Sequence, residues 1–204
     1  MTVLLLDPRW PTQIPMDGVV ALRAPITYTG EVPISVRWHV SDLAGAEELG
    51  TGTLVSTNRE DPEVLERVER GERVIEAPSR EDPLEEARRV MSRALDLGEW
   101  EARQTHESLL PYLREETEEF CEAVSAGASS EELRKELGDL FLQVLFHAEI
   151  ADRRGEFDLG DVARSFVEKM RVRSPYLFDG TVIPVSEEEQ ERLWAEGKNS
   201  EKGH

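Results

Sequence analysis

The chain has 204 residues, 39% apolar and 33% charged, the composition of a core-forming protein with a heavily charged surface. Its formal charge of −19 repels a phosphate backbone and argues against general nucleic-acid binding. No run approaches the roughly 20 apolar residues of a membrane span, and the lone Cys121 allows neither an intramolecular disulfide nor a thiolate zinc cluster.

Residues 1–80 read as a small α/β domain. Val3–Leu6 is a short apolar run stopped by Asp7-Pro8, as in a buried strand followed by a turn. Ile34–Val40 alternates with period two and predicts a half-buried strand. Thr53–Ser56 is a third strand candidate. Asp61-Pro62 opens a short helix with Val64, Leu65 and Val68 on one face, and Gly71 ends it. Val74-Ile75 predicts a last strand, and Pro78 through Pro83 a linker. This portion holds no glycine-rich phosphate loop and no ligand cluster. The segment Met1–Asp7 lacks the basic start of a signal peptide, so the expected location is the cytoplasm.

From Leu84 onward the pattern is helical. One helix is expected over 84–97 and a second over about 105–126, with Pro111 marking its first turn or a kink. Gly127 is the expected C-cap. Ser129 opens a third helix that runs to about Arg153, with Leu133, Leu137, Leu140, Phe141, Val144, Leu145 and Ala148 as its apolar stripe. Asp158 caps a fourth helix over 159–173, and Pro175 prevents its continuation. The tail, 181–204, is polar, with a short helix ending near Trp194. The acidity is concentrated in this half: 13 acidic against 8 basic residues in 1–80, but 30 against 16 in 81–204.

Two segments carry the chemistry. Glu116 and Glu119 are spaced i, i+3, as are Glu136 and Asp139, so each pair lies on one helix face. The short connection around Gly127 makes the two helices an antiparallel hairpin that sets the pairs opposite each other. Charge runs on helices are usually solvated faces. Here, however, Asp139 falls inside the apolar run Leu137–Phe146, which reads as largely buried, and a buried carboxylate needs a partner. Four gathered carboxylates repel one another without a cation, and oxygen-only ligands select a hard one, Mg²⁺ or Mn²⁺.

The segments Trp100–Leu109, Glu115–Glu119 and Glu136–Ala148, continued by Phe157-Asp158-Leu159, Asp161-Val162 and Lys169 through Pro175, resemble the MazG family of nucleotide pyrophosphohydrolases. The resemblance covers about 95–180, and Asp7–Thr12 looks like the extra N-terminal domain of actinobacterial MazG proteins. It implies an all-α catalytic domain over 84–180, so that the chain is α+β overall, and a homo-oligomer, dimer or tetramer. The implied reaction is hydrolysis of a nucleoside triphosphate to the monophosphate and pyrophosphate, for removal of damaged nucleotides.

By motif position the resemblance makes Glu116, Glu119, Glu136 and Asp139 the ligands of Mg²⁺. Glu115 would be an auxiliary ligand or, with Glu119, a base for the attacking water. Lys169 and Arg173 would contact the triphosphate; alone, their i, i+4 spacing reads as a cationic helix end that complements the dipole. Trp194 would stack on the base or anchor the tail, and Gln104 and Trp100 would shape the nucleoside pocket. His147 lies beyond Asp139 and reads as a core or surface histidine rather than a ligand. The family's usual residues are replaced by Glu101, Ala102 and Glu118, which bears on nucleoside preference. The alternatives are a narrow dUTP or dCTP pyrophosphatase and a catalytically weak regulatory protein.

Overall fold

Val3, Leu4, Leu5 and Leu6 have essentially no exposed surface, which only a strand covered on both faces achieves. In the computed structural model, which describes residues 1–44 and 52–201, the first three belong to one of the two central strands of a four-stranded parallel sheet, and Leu6 follows directly. The strands are β1 (Thr2–Leu5), β2 (Ile26–Tyr28), β3 (Thr53–Ser56) and β4 (Arg73–Glu76), in the order β2-β3-β1-β4. Register pairs Leu4 with Val55 and Ile75, and Val3 with Leu54 and Val74. Alternate residues therefore feed two cores. Leu4, Val55 and Ile75 join Leu22, Val36 and Val40, while Val3, Leu5 and Leu54 pack on Val64.

Each crossover carries a helix: α1 (Met16–Ala21), α2 (Ile34–Leu43) and α3 (Pro62–Glu69). Asp61 caps α3, its side chain accepting from the Glu63 amide at 2.9 Å, and Pro62 occupies the first helical position. The strand expected over Ile34–Val40 is instead α2. Pro33 fixes its start, and only Val36 and Val40, one turn apart, reach the core; Ile34 and Trp38 stay exposed. Arg37 then donates to the carbonyls of Val32, Thr29 and Gly30, tying the helix to the loop before it. The apolar alternation was a coincidence of one turn of helix with two strand periods.

In open parallel sheets, ligands bind beyond the carboxyl ends of the strands. Here that end is closed by the chain's own groups. Arg80 is buried and donates to Leu6 O at 2.9 Å, Thr57 O at 2.8 Å and Glu76 at 2.7 Å. Asp7, fully buried, accepts from the backbone and guanidinium of Arg9. One oxygen of Glu31 accepts from Thr29, Ser56 and the amides of Thr57 and Asn58.

The chain divides into two compact units, Met1–Glu86 and Ala87–His204, with the division inside α4 (Pro83–Leu97). The second unit also contains α5 (His106–Ala126), α6 (Ser130–Arg153), α7 (Leu159–Arg173) and α8 (Glu187–Glu201). Met91, Leu95, Leu109, Leu145, Phe146 and Ile150 form its core. Arg153 fastens α6 to α4 by donating to Ser92 O and Asp96.

Three details differ from the sequence reading. Pro111 lies inside α5, beyond its first turn, so the Glu107 carbonyl lacks its usual helical donor. Burial along α6 is confined mainly to its second half, from Gln143 to Ala151; Leu137 is 53% exposed. The tail helix does not end near Trp194 but carries it mid-length and runs on to Glu201; residues 202–204 lie outside the described part. No helix among the described residues is long and apolar enough to cross a membrane.

Candidate metal and phosphate site

The α5–α6 hairpin is fixed at both ends of its turn. Gly127 takes φ 69°, left-handed backbone that a glycine adopts without strain, and the Ala128 amide reaches back to Ala123 O at 3.0 Å. Ser129 then caps α6, accepting from the Glu132 amide at 3.2 Å. At its start α5 has a reciprocal cap: Ser108 N donates to Thr105 Oγ1 and Thr105 N to Ser108 Oγ. With so short a turn, residues equally far from it face each other. Glu116 and Asp139 are such a pair, and so are Glu119 and Glu136.

Three of these carboxylates converge. Glu116, Glu136 and Asp139 each offer an oxygen, all within 4.8 Å of one another. All three are half-buried, and Glu136 Oε2 is shut off from solvent with no hydrogen-bond partner. Burial pushes the Glu116 carboxyl above its ordinary value, and the charges of Asp139, Glu119, Glu115 and Glu136 push it further. Glu119 and Glu115 are exposed and lie outside the group of three, but close enough for their charge to act on Glu116. These three carboxylates, mutually repelling and with one buried oxygen orphaned, could hold a metal ion.

The remaining candidates lie elsewhere in the helical unit. Lys169 is exposed, its ammonium 5.8 Å from the Phe166 ring centroid. Arg173 sits over the Trp194 ring at 5.1 Å and is ion-paired with Glu201. Gln104 is engaged locally: its amide donates to Trp100 O at 2.9 Å and its oxygen accepts from Ser108 Oγ at 2.7 Å. Trp100 packs edge-on against Tyr112 and Phe146. His147 stacks on His106 with the two Nδ1 atoms 2.7 Å apart, and burial, then His106, holds its pKa below the usual histidine value.

Sequence reasoning passed over Gln143, His106 and Glu201. Gln143 is buried with its Oε1 unpartnered, and its position one turn past Asp139 made it findable. The His106 and Glu201 contacts join residues 41 and 28 apart and left no trace in local spacing.

Fold and site together define a chain with a small parallel α/β unit and a helical half that gathers three carboxylates on one hairpin. The description "MazG N-terminal domain" matches residues 1–75, and "MazG nucleotide pyrophosphohydrolase domain" matches residues 104–178. A MazG-related protein of Thermotoga maritima with a crystal structure is 34% identical, with a TM-score of 0.50; the match covers 56% of this chain and 98% of that one. The chain belongs to the MazG family. Nucleoside triphosphate pyrophosphohydrolases of Mycobacterium tuberculosis and Mycolicibacterium smegmatis are each 40% identical to it over 99% of its length. The chain spans 63% of the length of those two relatives.

Proposed function

We propose that the chain is a nucleoside triphosphate pyrophosphohydrolase that cleaves a (d)NTP to the monophosphate and pyrophosphate, in the service of clearing damaged nucleotides. The observation that carries this reading is the convergence of Glu116, Glu136 and Asp139 with one buried oxygen left without a partner. The names of the mycobacterial relatives and of the matching domain support the same reaction. Catalysis belongs to the 84–180 domain, with the 1–80 domain separate from it and the 181–204 tail contributing Trp194.

Glu116, Glu136 and Asp139, joined by Glu119 from the next turn of α5, would hold Mg²⁺, with Mn²⁺ as a substitute. When bound, such an ion polarises phosphoryl oxygens and acidifies water. The chain's own residues do the rest. Glu115 or Glu119, both exposed beside the cluster, takes the proton of the water that attacks the α-phosphorus. Lys169 and Arg173 hold the β- and γ-phosphoryl groups and offset the charge that develops on the leaving pyrophosphate. Trp194, 41% exposed, offers a face on which the base stacks, and Gln104 with Trp100 would shape the nucleoside pocket. The exposed Leu137, Val144, Leu110 and Val124 on α5 and α6 support burial against further copies in a homo-oligomer. The single free cysteine fits a cytoplasmic setting.

The test is a panel of dNTPs and NTPs with Mg²⁺, scored for pyrophosphate against orthophosphate. Pyrophosphate from several nucleotides supports the proposal. Activity confined to dUTP or dCTP points to the narrow enzyme, and orthophosphate release overturns the mechanism.

A further inference from the structure

Glu201 lies on the last described turn of α8 and carries a carboxylate to Arg173 of α7. Its partner explains its place. The Glu201 carboxylate grips the Arg173 guanidinium with both oxygens, Oε1 on Nε at 3.2 Å and Oε2 on Nη2 at 2.5 Å. That fork is the geometry with which arginine takes a phosphoryl group. The Arg173 hydrogen bond holds the Glu201 pKa below the usual carboxylate range, and the charges of Arg173 and Lys169 add to it, so both cations of the pair act on this one carboxylate.

Docking of α8 is specific. Trp194, Gly197 and Glu201 follow 3- and 4-residue spacing and form one stripe on α8. At Gly197 the helices touch: a Cβ there would come within 2.8 Å of Val172 O and 2.9 Å of Arg173 Cα. The stripe thus places Trp194 against one part of Arg173 and Glu201 against its polar edge, leaving the Arg173 side chain only 17% exposed.

We infer that Glu201 is an internal anion that occupies Arg173 in place of a substrate phosphoryl group, so that the end of α8 competes with the triphosphate for the Lys169/Arg173 pair. This inference rests on the proposal that Lys169 and Arg173 bind phosphate. The Glu201 side chain is itself 36% exposed, so an incoming polyphosphate, with more charge than one carboxylate, displaces it from Arg173. Glu201 then sets the threshold of phosphate affinity and disfavours ligands with a single phosphoryl group, the monophosphate product among them.

The experiment is calorimetric titration of the full chain with inorganic tripolyphosphate in Mg²⁺, with inorganic phosphate in parallel. Glu201→Gln should tighten tripolyphosphate binding by roughly fivefold or more and raise phosphate binding by a larger factor, since a lost ion pair no longer has to be broken. Arg173→Gln should weaken binding, and adding Glu201→Gln to it should change nothing further. Structural damage does not produce a gain of affinity, and Glu201→Ala should repeat it. Unchanged or weaker binding in Glu201→Gln, with Arg173→Gln still impaired, overturns the competition and makes Glu201 a support for Arg173. Unaltered binding in Arg173→Gln overturns the phosphate reading itself, and the inference with it.

Discussion

Asp7 and Glu116 are both acidic groups drawn out of water, and the two units treat them in opposite ways. In the first unit the guanidinium of Arg9 overcomes the cost of burial and holds the Asp7 carboxyl down to about 2. Glu31 behaves alike: burial raises it, but bonds from Thr29, Ser56 and the Thr57 amide outweigh that and lower it to about 2. In the second unit, burial and then the charges of four neighbouring carboxylates raise the Glu116 pKa. The difference separates an acid that serves the fold from one that lacks a counter-charge. At the sheet end where a ligand would be sought, Arg80 donates to the Leu6 and Thr57 carbonyls and pairs with Glu76, whereas the helical hairpin leaves an oxygen of Glu136 without a partner.

The strongest way to break this contrast is to remove a hairpin carboxylate. Asp139→Asn or Glu136→Gln should lower pyrophosphate release at least ~100-fold with little loss of fold, since loss of a ligand should exceed the 10–100-fold cost typical of its supporting shell. Steady-state assay beside circular dichroism checks both halves of that statement. Next comes Asp7→Ala, which removes charge-assisted bonds of Arg9 while leaving it Asp82, Glu85 and Ser79 O, and should cost the first unit about 2 kcal/mol in denaturant unfolding.

Saturating Mg²⁺ should raise the melting temperature of the helical unit, by about 2.7 kcal/mol of stabilisation at a hundredfold excess over Kd. Asp139→Asn should show no such rise. The smallest effects are in pH. The depressed Asp7 and Glu31 values mean stability that is complete above about 4.5 and lost as pH falls toward about 2. His147 is also depressed, but as a base: the unfolded chain binds its proton first, so stability falls as pH drops below 6.5. Unfolding followed at pH 7.5, 5.5 and 3.5 should weaken the helical unit first, and His147→Gln should remove that early step.

How much of this was readable in the sequence depended on the range of the interaction. Strands β1 and β3 were legible because strands buried on both faces are largely apolar runs, and the edge strand β4 by its Val74-Ile75 pair between Gly71 and Pro78. Strand β2 has three residues and α1 six with only Gly18 buried, too little for a pattern. Helix α2 was misread because Ile34 and Trp38, exposed, mimicked the alternate positions of a strand. The carboxylate pairs were legible since i, i+3 spacing survives any packing. That Glu119 stands apart from the other three was not, because it depends on how α5 is rotated against α6. The grip of Glu201 on Arg173 depends in the same way on α8 meeting α7.

Titration of Mg²⁺ into the full chain, followed by calorimetry, tests the central contrast most directly. Binding should be lost in Glu136→Gln and in Asp139→Asn and kept in Glu31→Ala, whose carboxylate the fold already satisfies. Undiminished binding in the two hairpin variants, or its loss in Glu31→Ala, would contradict the assignment of the hairpin as the cation site.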